Sequence, residues 1–567
     1  WTGRFFFSEF DYFILVTLIV SLWFKRWKFT FLLQSKSTTL FLLSLYIAFY
    51  LISFTKGLFP LQTVDANAFS NYYSHYNSLR VSKGLIWALL LLPLLAYSFH
   101  YKQNVKIFFS YGILIGLTAT SLLGIRERFI FTGLFDYTTD FRITSSFYSM
   151  HTGGAHLDAY LILTMPFICF LPFKSKKTFS QTILASLIFT LSLYTLLVTY
   201  TRGTYIALLV STIILTTALF INKKKSLLHN WKKMLWLPIS IIIITVVALP
   251  IIKGSFIQHR FKQTYQEIDI RSNHWLNAYN MMDSDFLTTL FGMGIGSFPR
   301  TYLWNNVTNE VPSSFKLQQE ENTPYLQVGS GAPLYIEQKI NISPDTDYKL
   351  SLDYRSHGSN HLPSISICEK AIQNSFKCYK LPLKSKNKQT NWQHLEHSFN
   401  SKDLGKNTNS FTSKPTKIVI QNSTQNTILD FNKISLISPQ ENELVKNGGF
   451  SQQMDFWFFT ADDHIPWRTE NLLMEILFDQ GWLGMISFLL LSIKIISSLY
   501  QNTLKHDLFS SIALSSIIGF QIIGITDSPF DMPMITLLFF LIYFITLIDF
   551  KNQYHPRKAS NYNSGLK

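Results

Sequence analysis

Charge is scarce in this chain. Asp, Glu, Lys and Arg make up 15% of its 567 residues, against about 25% in soluble domains. That deficit excludes a disordered protein and an ordinary cytosolic enzyme. Cysteine is scarcer still: three residues in all, too few for a disulfide-dense scaffold or a structural zinc cluster. Internal repeats and low-complexity tracts are absent, and no cleavable signal peptide is expected if the first membrane helix acts as the export signal. Acidic residues are few, 34 against 50 basic ones, for a net charge of +16. Such an excess can indicate nucleic-acid binding. Here the lysines sit in short loops between apolar runs, the pattern of cytoplasmic loops in a membrane protein. No nucleic-acid partner is expected.

Apolar residues are abundant, at 47% with 16% aromatic, and they are gathered into runs. A bilayer core needs roughly 20 apolar residues per helix. Eleven runs approach this, near 10–24, 38–55, 84–100, 106–124, 155–173, 179–198, 203–221, 235–252, 471–499, 507–525 and 532–549. Alternate connections carry the cations: Lys25, Arg26, Lys28 and Lys36; Lys102 and Lys106; Lys174, Lys176 and Lys177; Lys223, Lys224, Lys225, Lys232 and Lys233. These loops, and a tail with Lys551, Arg557 and Lys558, are expected on the cytoplasmic side. Parity then puts Trp1 outside, and a helix upstream of Trp1 would give twelve spans with both ends inside.

The stretch from 253 to 470 is too long for a loop and needs its own fold. Near 255–300 it has helical character and ends in Phe291-Gly292-Met293-Gly294-Ile295-Gly296. From 320 to 455 the composition shifts to Ser, Asn, Thr and Lys with alternating apolar residues, as in Tyr348–Tyr354 and Lys417–Gln421. Short strands between turn residues predict a β-sandwich. The expected fold is therefore mostly α. It is a polytopic membrane bundle with a large periplasmic loop holding a β-sandwich. The expected domains are 1–252 and 456–550 in the membrane, a helical segment at 253–319, the sandwich at 320–455 and a cytoplasmic tail at 551–567. Cys368 and Cys378 flank a short loop between strand-like runs, and a disulfide is consistent with export. Cys169, in an apolar run, suits a small buried hydrophobe.

Polar motifs cluster at the non-cytoplasmic edges. Arg202 lies in the short turn Thr199-Tyr200-Thr201-Arg202-Gly203-Thr204. It either snorkels or binds phosphate through its bidentate fork. Arg271 is placed just before a helix with Asp269 as cap partner, or serves as a second phosphate clamp, with Trp275 close by. Arg142 is a third candidate. His151 and His156 share its loop, where packing is favoured over a metal pair. The last motif is Ala461-Asp462-Asp463-His464-Ile465-Pro466-Trp467-Arg468-Thr469-Glu470-Asn471. His464 suits a general base. Asp463 or Thr469 suits a helix cap, and a metal site at Asp462–His464 ranks below a metal-free one.

Together these elements resemble the O-antigen ligase and polymerase superfamily of bacterial membrane glycosyltransferases. The resemblance rests on Thr201-Arg202-Gly203 opening a span, Arg271 followed by Trp275, Gly292-x-Gly294-x-Gly296, and Glu470-Asn471-Leu472-Leu473 running to Gly481-Trp482-Leu483-Gly484. The superfamily usually carries a histidine directly before that asparagine. Here the position is Glu470, so His464 is the substitute base, with Arg468 or Glu470 the alternatives. Glu443–Ser451 followed by Phe456-Trp457 resembles part of a carbohydrate-binding β-sandwich. Trp457 would then be either a sugar-stacking ring or core.

The resemblance implies a donor glycan on a polyprenyl diphosphate, with Arg202 and Arg271 neutralising the leaving diphosphate and His464 taking the acceptor proton. Transfer would invert the anomeric centre without metal or cofactor. It implies the bacterial inner membrane, membrane-lipid contacts, and an active face toward the periplasm. Arg142, Arg468, Glu470, Trp275 and Trp457 are the substrate-binding candidates. Lipid A–core is the first acceptor, with a growing glycan (polymerase) or a protein hydroxyl close behind. A flippase for lipid-linked glycans is the alternative of another class; it would usually show two related halves, which this sequence lacks. A non-catalytic glycan sensor is a third reading, for which eleven spans are excessive.

Overall fold

The computed structural model describes residues 7–24, 26, 37–101, 104–147, 155–174, 178–223, 236–307, 312–332, 334–357, 363–371, 374–381, 391–406, 412–424 and 426–554. Lys25, Lys28, Lys36, Lys102, Lys176, Lys177, Lys224, Lys225, Lys232, Lys233, Arg557, Lys558 and His151 lie outside the described residues, so their expected placements are not addressed by it.

Every expected apolar run falls on a helix. They are α1 (Glu9–Trp23), α2 (Ser37–Leu58), α3 (Asn77–Tyr101), α4 (Val105–Phe131), α5 (Ala155–Thr164) continuing through a 3-10 turn into α6 (Phe170–Lys174), α7 (Thr178–Leu197), α8 (Arg202–Lys223) and α9 (Trp236–Ile252). Among the described residues, seven helices are long and apolar enough to cross a membrane. An eighth crossing results if α9 and the following α10 (Ser255–Lys262), bent by 77°, form one broken span. α1 and α9 run only 15 and 17 residues. The span His156–Phe173 is 94% buried and forms the centre around which the exposed spans pack.

The segment after α9 continues as α10, α11 (Thr264–Asn280), α12 (Phe286–Phe291) and α13 (Phe298–Asn305). Beyond the β region come α14 (Leu472–Leu504), α15 (Leu508–Ile523) and α16 (Pro533–Tyr554). α14 is broken at Gly481, whose φ is +66°. The loop Gly292–Gly296 fills that break. Met293 N–H donates to the Phe478 carbonyl (2.7 Å), Gly294 N–H to Asp479 O (3.0 Å), and Ile295 N–H to Ser53 O on α2 (3.1 Å). A Cβ on Gly481 would lie 2.4 Å from the Leu290 carbonyl oxygen, and one on Gly294 2.3 Å from the Gly57 nitrogen. Only glycine accepts both the left-handed φ and this approach. Irregular backbone inside an apolar bundle survives because each partner is found in protein.

Among the described residues, ten strands form two antiparallel five-stranded sheets, from β1 (Phe315–Glu320) to β10 (Phe458–Ala461). The other strands are β2 (Thr323–Gly329), β3 (Leu334–Ile340), β4 (Asp347–His357), β5 (Ser364–Ala371), β6 (Asn374–Lys380), β7 (Gln393–Asn400), β8 (Thr416–Gln421) and β9 (Ile428–Ile437). One sheet has the order β1-β2-β9-β4-β7 and the other β10-β3-β8-β5-β6. Strands thus extend past both expected limits, 320 and 455, because β1 pairs along β2 and β10 along β3. A single apolar cluster joins the two sheets, with Leu326, Leu350, Ile367, Ile418 and Phe431 at its centre. Cys368 and Cys378 are cross-strand partners on β5 and β6 and form a disulfide.

Contacts on two sides hold the sheets against the helical bundle. Asn67, between α2 and α3, pairs its side-chain amide with the Leu317 backbone in both directions (2.9 and 2.7 Å), and the Tyr73 hydroxyl donates to Ser313 O (2.7 Å). On the other side Phe376, near the tip of the disulfide-bonded hairpin, stacks on Phe131 at the end of α4, with ring centroids 4.8 Å apart.

Candidate functional site

The site lies where the bundle meets the sheets. The glycine-adjacent turn before α8 presents Arg202 there. Its guanidinium donates to Arg260 O (2.5 Å), to Thr264 Oγ1 (2.9 Å) and to the Glu267 carboxylate. Arg260 donates to the other Glu267 oxygen at 2.7 Å, so one carboxylate bridges two arginines. Gly203 packs so closely on Thr526 that an added Cβ would lie 2.4 Å from its Oγ1.

Helix α11 supplies the opposite wall. Glu267, Arg271, His274 and Ala278 recur at three- and four-residue spacing and share one face. Arg271 donates to the Thr526 carbonyl (2.7 Å) and to Glu470 (3.1 Å). His274 Nε2–H donates to the Arg468 carbonyl at 2.7 Å. Burial pulls the His274 pKa below its ordinary value. Arg271 therefore lies inside α11, not ahead of a helix with Asp269 as its cap.

Arg142 completes the cationic group from the loop after α4. It donates to Thr199 O and Thr201 Oγ1, both at 2.7 Å. Burial first, and the neighbouring Arg260 second, lower its pKa to about 10. Four guanidiniums (Arg142, Arg202, Arg260, Arg271) thus share one electrostatic neighbourhood with Asp158, Glu267 and Glu470.

Glu470 sits immediately before α14, buried (6% exposed) with φ +54°. Asn471 caps that helix, its side chain accepting from Met474 N–H at 2.9 Å. The cap is therefore neither Asp463 nor Thr469. Asp463 instead accepts from Ile465 N–H (3.0 Å) and closes the short turn that follows His464. Arg468 is buried, with Nη1 4.0 Å from Asp527. Burial, with Glu470 next to it, raises the Asp527 pKa to about 7.

The sequence candidates divide accordingly. Arg142, Arg202, Arg271, Arg468 and Glu470 come together. Trp275 follows on α11, half-buried, with its indole N–H buried and unbonded. His464 is exposed, and it and Glu470 are both close enough to act electrostatically on the buried His274. Trp457 is core and presents no ring for a sugar: it is fully buried, packs on Phe450 and donates to the Asn447 carbonyl at 3.1 Å. Its place beside the turn at Asn447 draws it between the sheets. His156 is buried and described without His151. Among the described residues no three His, Cys, Asp or Glu side chains converge on a metal position.

Sequence reasoning missed Arg260, Glu267, His274 and Asp527. The shared face of α11 was the available signal for Glu267 and His274. Asp527 carries no local pattern, since its partners lie far away in the chain.

The O-antigen ligase family model matches residues 187–328, about a quarter of the chain. The matched stretch contains Arg202, Arg260, Glu267, Arg271 and the glycine loop, while Glu470 lies beyond it. No curated protein and no solved structure matches the chain.

Proposed function

We propose that this chain, which resembles the O-antigen ligase superfamily of multi-pass membrane proteins, transfers a glycan from a polyprenyl diphosphate to an acceptor hydroxyl. The reading is carried by one observation: Glu470, at the superfamily's histidine position, is hydrogen-bonded to Arg271 beside the Arg202 cluster. Acid–base capacity is thus kept at that position with a different side chain.

In this reading the diphosphate replaces Glu267 and Glu470 as the partner of Arg202 and Arg271. Phosphate oxygens form stronger, bidentate pairs with guanidinium. Glu470, released from Arg271, accepts the acceptor's hydroxyl proton. The acceptor oxygen bonds to the anomeric carbon as the bond from that carbon to the phosphate oxygen breaks. The diphosphate leaves with the electron pair, and the arginines stabilise its growing charge. One displacement inverts the anomeric centre, with no metal or cofactor taking part. The active face is periplasmic, in a bacterial inner membrane. Lipid A–core is the first acceptor, ahead of a growing glycan or a protein hydroxyl.

The test is transfer by purified protein from a polyprenyl-diphosphate glycan to lipid, glycan and peptide acceptors, with and without chelator. Loss in Arg202→Ala, Arg271→Ala and Glu470→Gln, with activity kept in His464→Ala, supports the reading. Activity kept in Glu470→Gln but lost in His464→Ala moves the base to His464. Donor binding without turnover on any acceptor overturns the enzyme reading.

A further inference from the structure

Helix α11 presents three faces. Glu267, Arg271, His274 and Ala278 turn toward the site. Gln266, Asp269, Asn273 and Asn280 form an exposed polar face, with exposed Ile270 at its far edge. Between these two runs a third face, on which Tyr265, Ile268, Ser272, Leu276 and Tyr279 recur every three or four residues. Its large side chains are open: Tyr265 is 84% exposed, Ile268 54%, Leu276 58% and Tyr279 49%. We infer that α11 lies along the bilayer surface with this stripe dipped into the acyl boundary of the leaflet nearest the sheets. The partner of the stripe is lipid, whatever reaction the site performs.

The depth of α11 is set by what it is tied to. Arg202, which opens the apolar helix α8, bonds Arg260 O, Thr264 Oγ1 and Glu267. Arg271 bonds the carbonyl of Thr526, three residues past the end of α15. The helix is thus fastened across the ends of two apolar helices, where spans leave the hydrocarbon. Just upstream, the apolar helix α9 turns by 77° into α10, as a chain does when it leaves a span to run along the surface. The apolar surface is also continuous. On α8, Ile206, Leu209 and Ile213 are exposed along a span that is only 28% buried. At its outer end Tyr205 meets Phe261, with ring centroids 6.5 Å apart, and Tyr265 begins the stripe four residues later. Tyrosines stand at both ends of the stripe, the ring type that settles at headgroup level. Lys253, His259 and Lys262 are exposed on the stretch before it and suit anionic headgroups. A helix at the rim of a bundle meets protein, water and lipid at once, and α11 has one face for each. So seated, it holds Glu267 and Arg271 one face away from the acyl boundary, at the depth of lipid phosphates.

The test places a single bimane label on the full chain in nanodiscs of phosphatidylethanolamine and phosphatidylglycerol. Ile268→Cys and Leu276→Cys probe the stripe, and Asn273→Cys probes the polar face. Cys169 is buried and Cys368 is bonded to Cys378, so the unsubstituted chain sets the labelling background. Thermal unfolding checks that each labelled protein is folded. Nitroxides on the lipid acyl chains and iodide in the water are the two quenchers. Supporting the inference, the nitroxide lipids quench positions 268 and 276 roughly twofold or more above position 273, and iodide shows the reverse order. Adding Leu276→Asp then lowers the nitroxide quenching of a label at 268. Iodide quenching at 268 and 276 equal to that at 273 places the stripe in water and overturns the inference. Protection of 268 and 276 from both quenchers overturns it too, since a protein partner or a second copy then covers the stripe. None of these readouts needs transfer, so their failure leaves the transferase reading standing.

Discussion

The sheets and the helical bundle each bury carboxylates, and they treat them differently. In the sheets Glu337 is fully buried and accepts from Lys370, from Lys417 (2.7 Å) and from Thr460 (2.8 Å). Asp430, equally buried, accepts from Arg355 (2.9 Å) and Gln327 (3.0 Å) and pairs with His357 (2.6 Å). Where the bundle meets the sheets, Asp527 Oδ2 and Glu475 Oε2 have no hydrogen-bond partner. A network that serves the fold closes on itself, because each unpaired buried group costs about 1–3 kcal/mol. Among these four carboxylates, the two left open at such a cost are the candidates for a role beyond the fold.

The comparison can be broken most sharply at Glu470. Glu470→Gln should lower the transfer rate by roughly 10²–10⁴, the usual contribution of a general base. Unfolding should shift less than in Glu337→Gln, because Arg271 keeps the Thr526 carbonyl as a partner, and a drop in stability as large as the drop in rate would place Glu470 with the structural networks. Glu337→Gln should do the opposite. Breaking one partner of a buried pair costs about 3–5 kcal/mol, read as a lower unfolding midpoint, while the surviving folded protein keeps its rate. A Glu337→Gln protein of wild-type stability would remove the contrast.

Gly481→Ala comes next. It forces a side chain into a left-handed backbone, costing about 1–3 kcal/mol, and into contact with Leu290. Both stability and transfer should fall, because the same break seats the glycine loop. The smallest effect is one of pH. His274 has a lowered pKa in the folded chain, so the unfolded chain takes up its proton first as pH drops. That contribution to stability is present above about 6.5 and is lost below it. Unfolding midpoints between pH 8 and pH 5 should decline, and less steeply in His274→Asn.

Much of this organisation was legible in the sequence. The apolar runs gave the helices, alternation gave the strands, and the turn at Arg202 stood out because a charge interrupts apolar spacing. The Gly292–Gly296 segment was visible as a motif, but its role was not, since the partners on α2 and α14 are distant in the chain. Glu475 and Asp479 were hidden inside an apolar run, where two carboxylates barely change the mean. Trp457 misled because a lone aromatic beside a turn has the same local pattern whether it stacks on a ligand or on Phe450.

The attachment of the sheets to the bundle has a consequence for traffic. Asn67 and Tyr73 fasten one side and Phe376 fastens the other, so the sheets are tied to the bundle on two sides and not through a single hinge. If the chain transfers a glycan as proposed, a long substrate has to pass beside these fixed fastenings with most of its length outside. A transferase so built reads the tip of a chain and is indifferent to how long that chain has become.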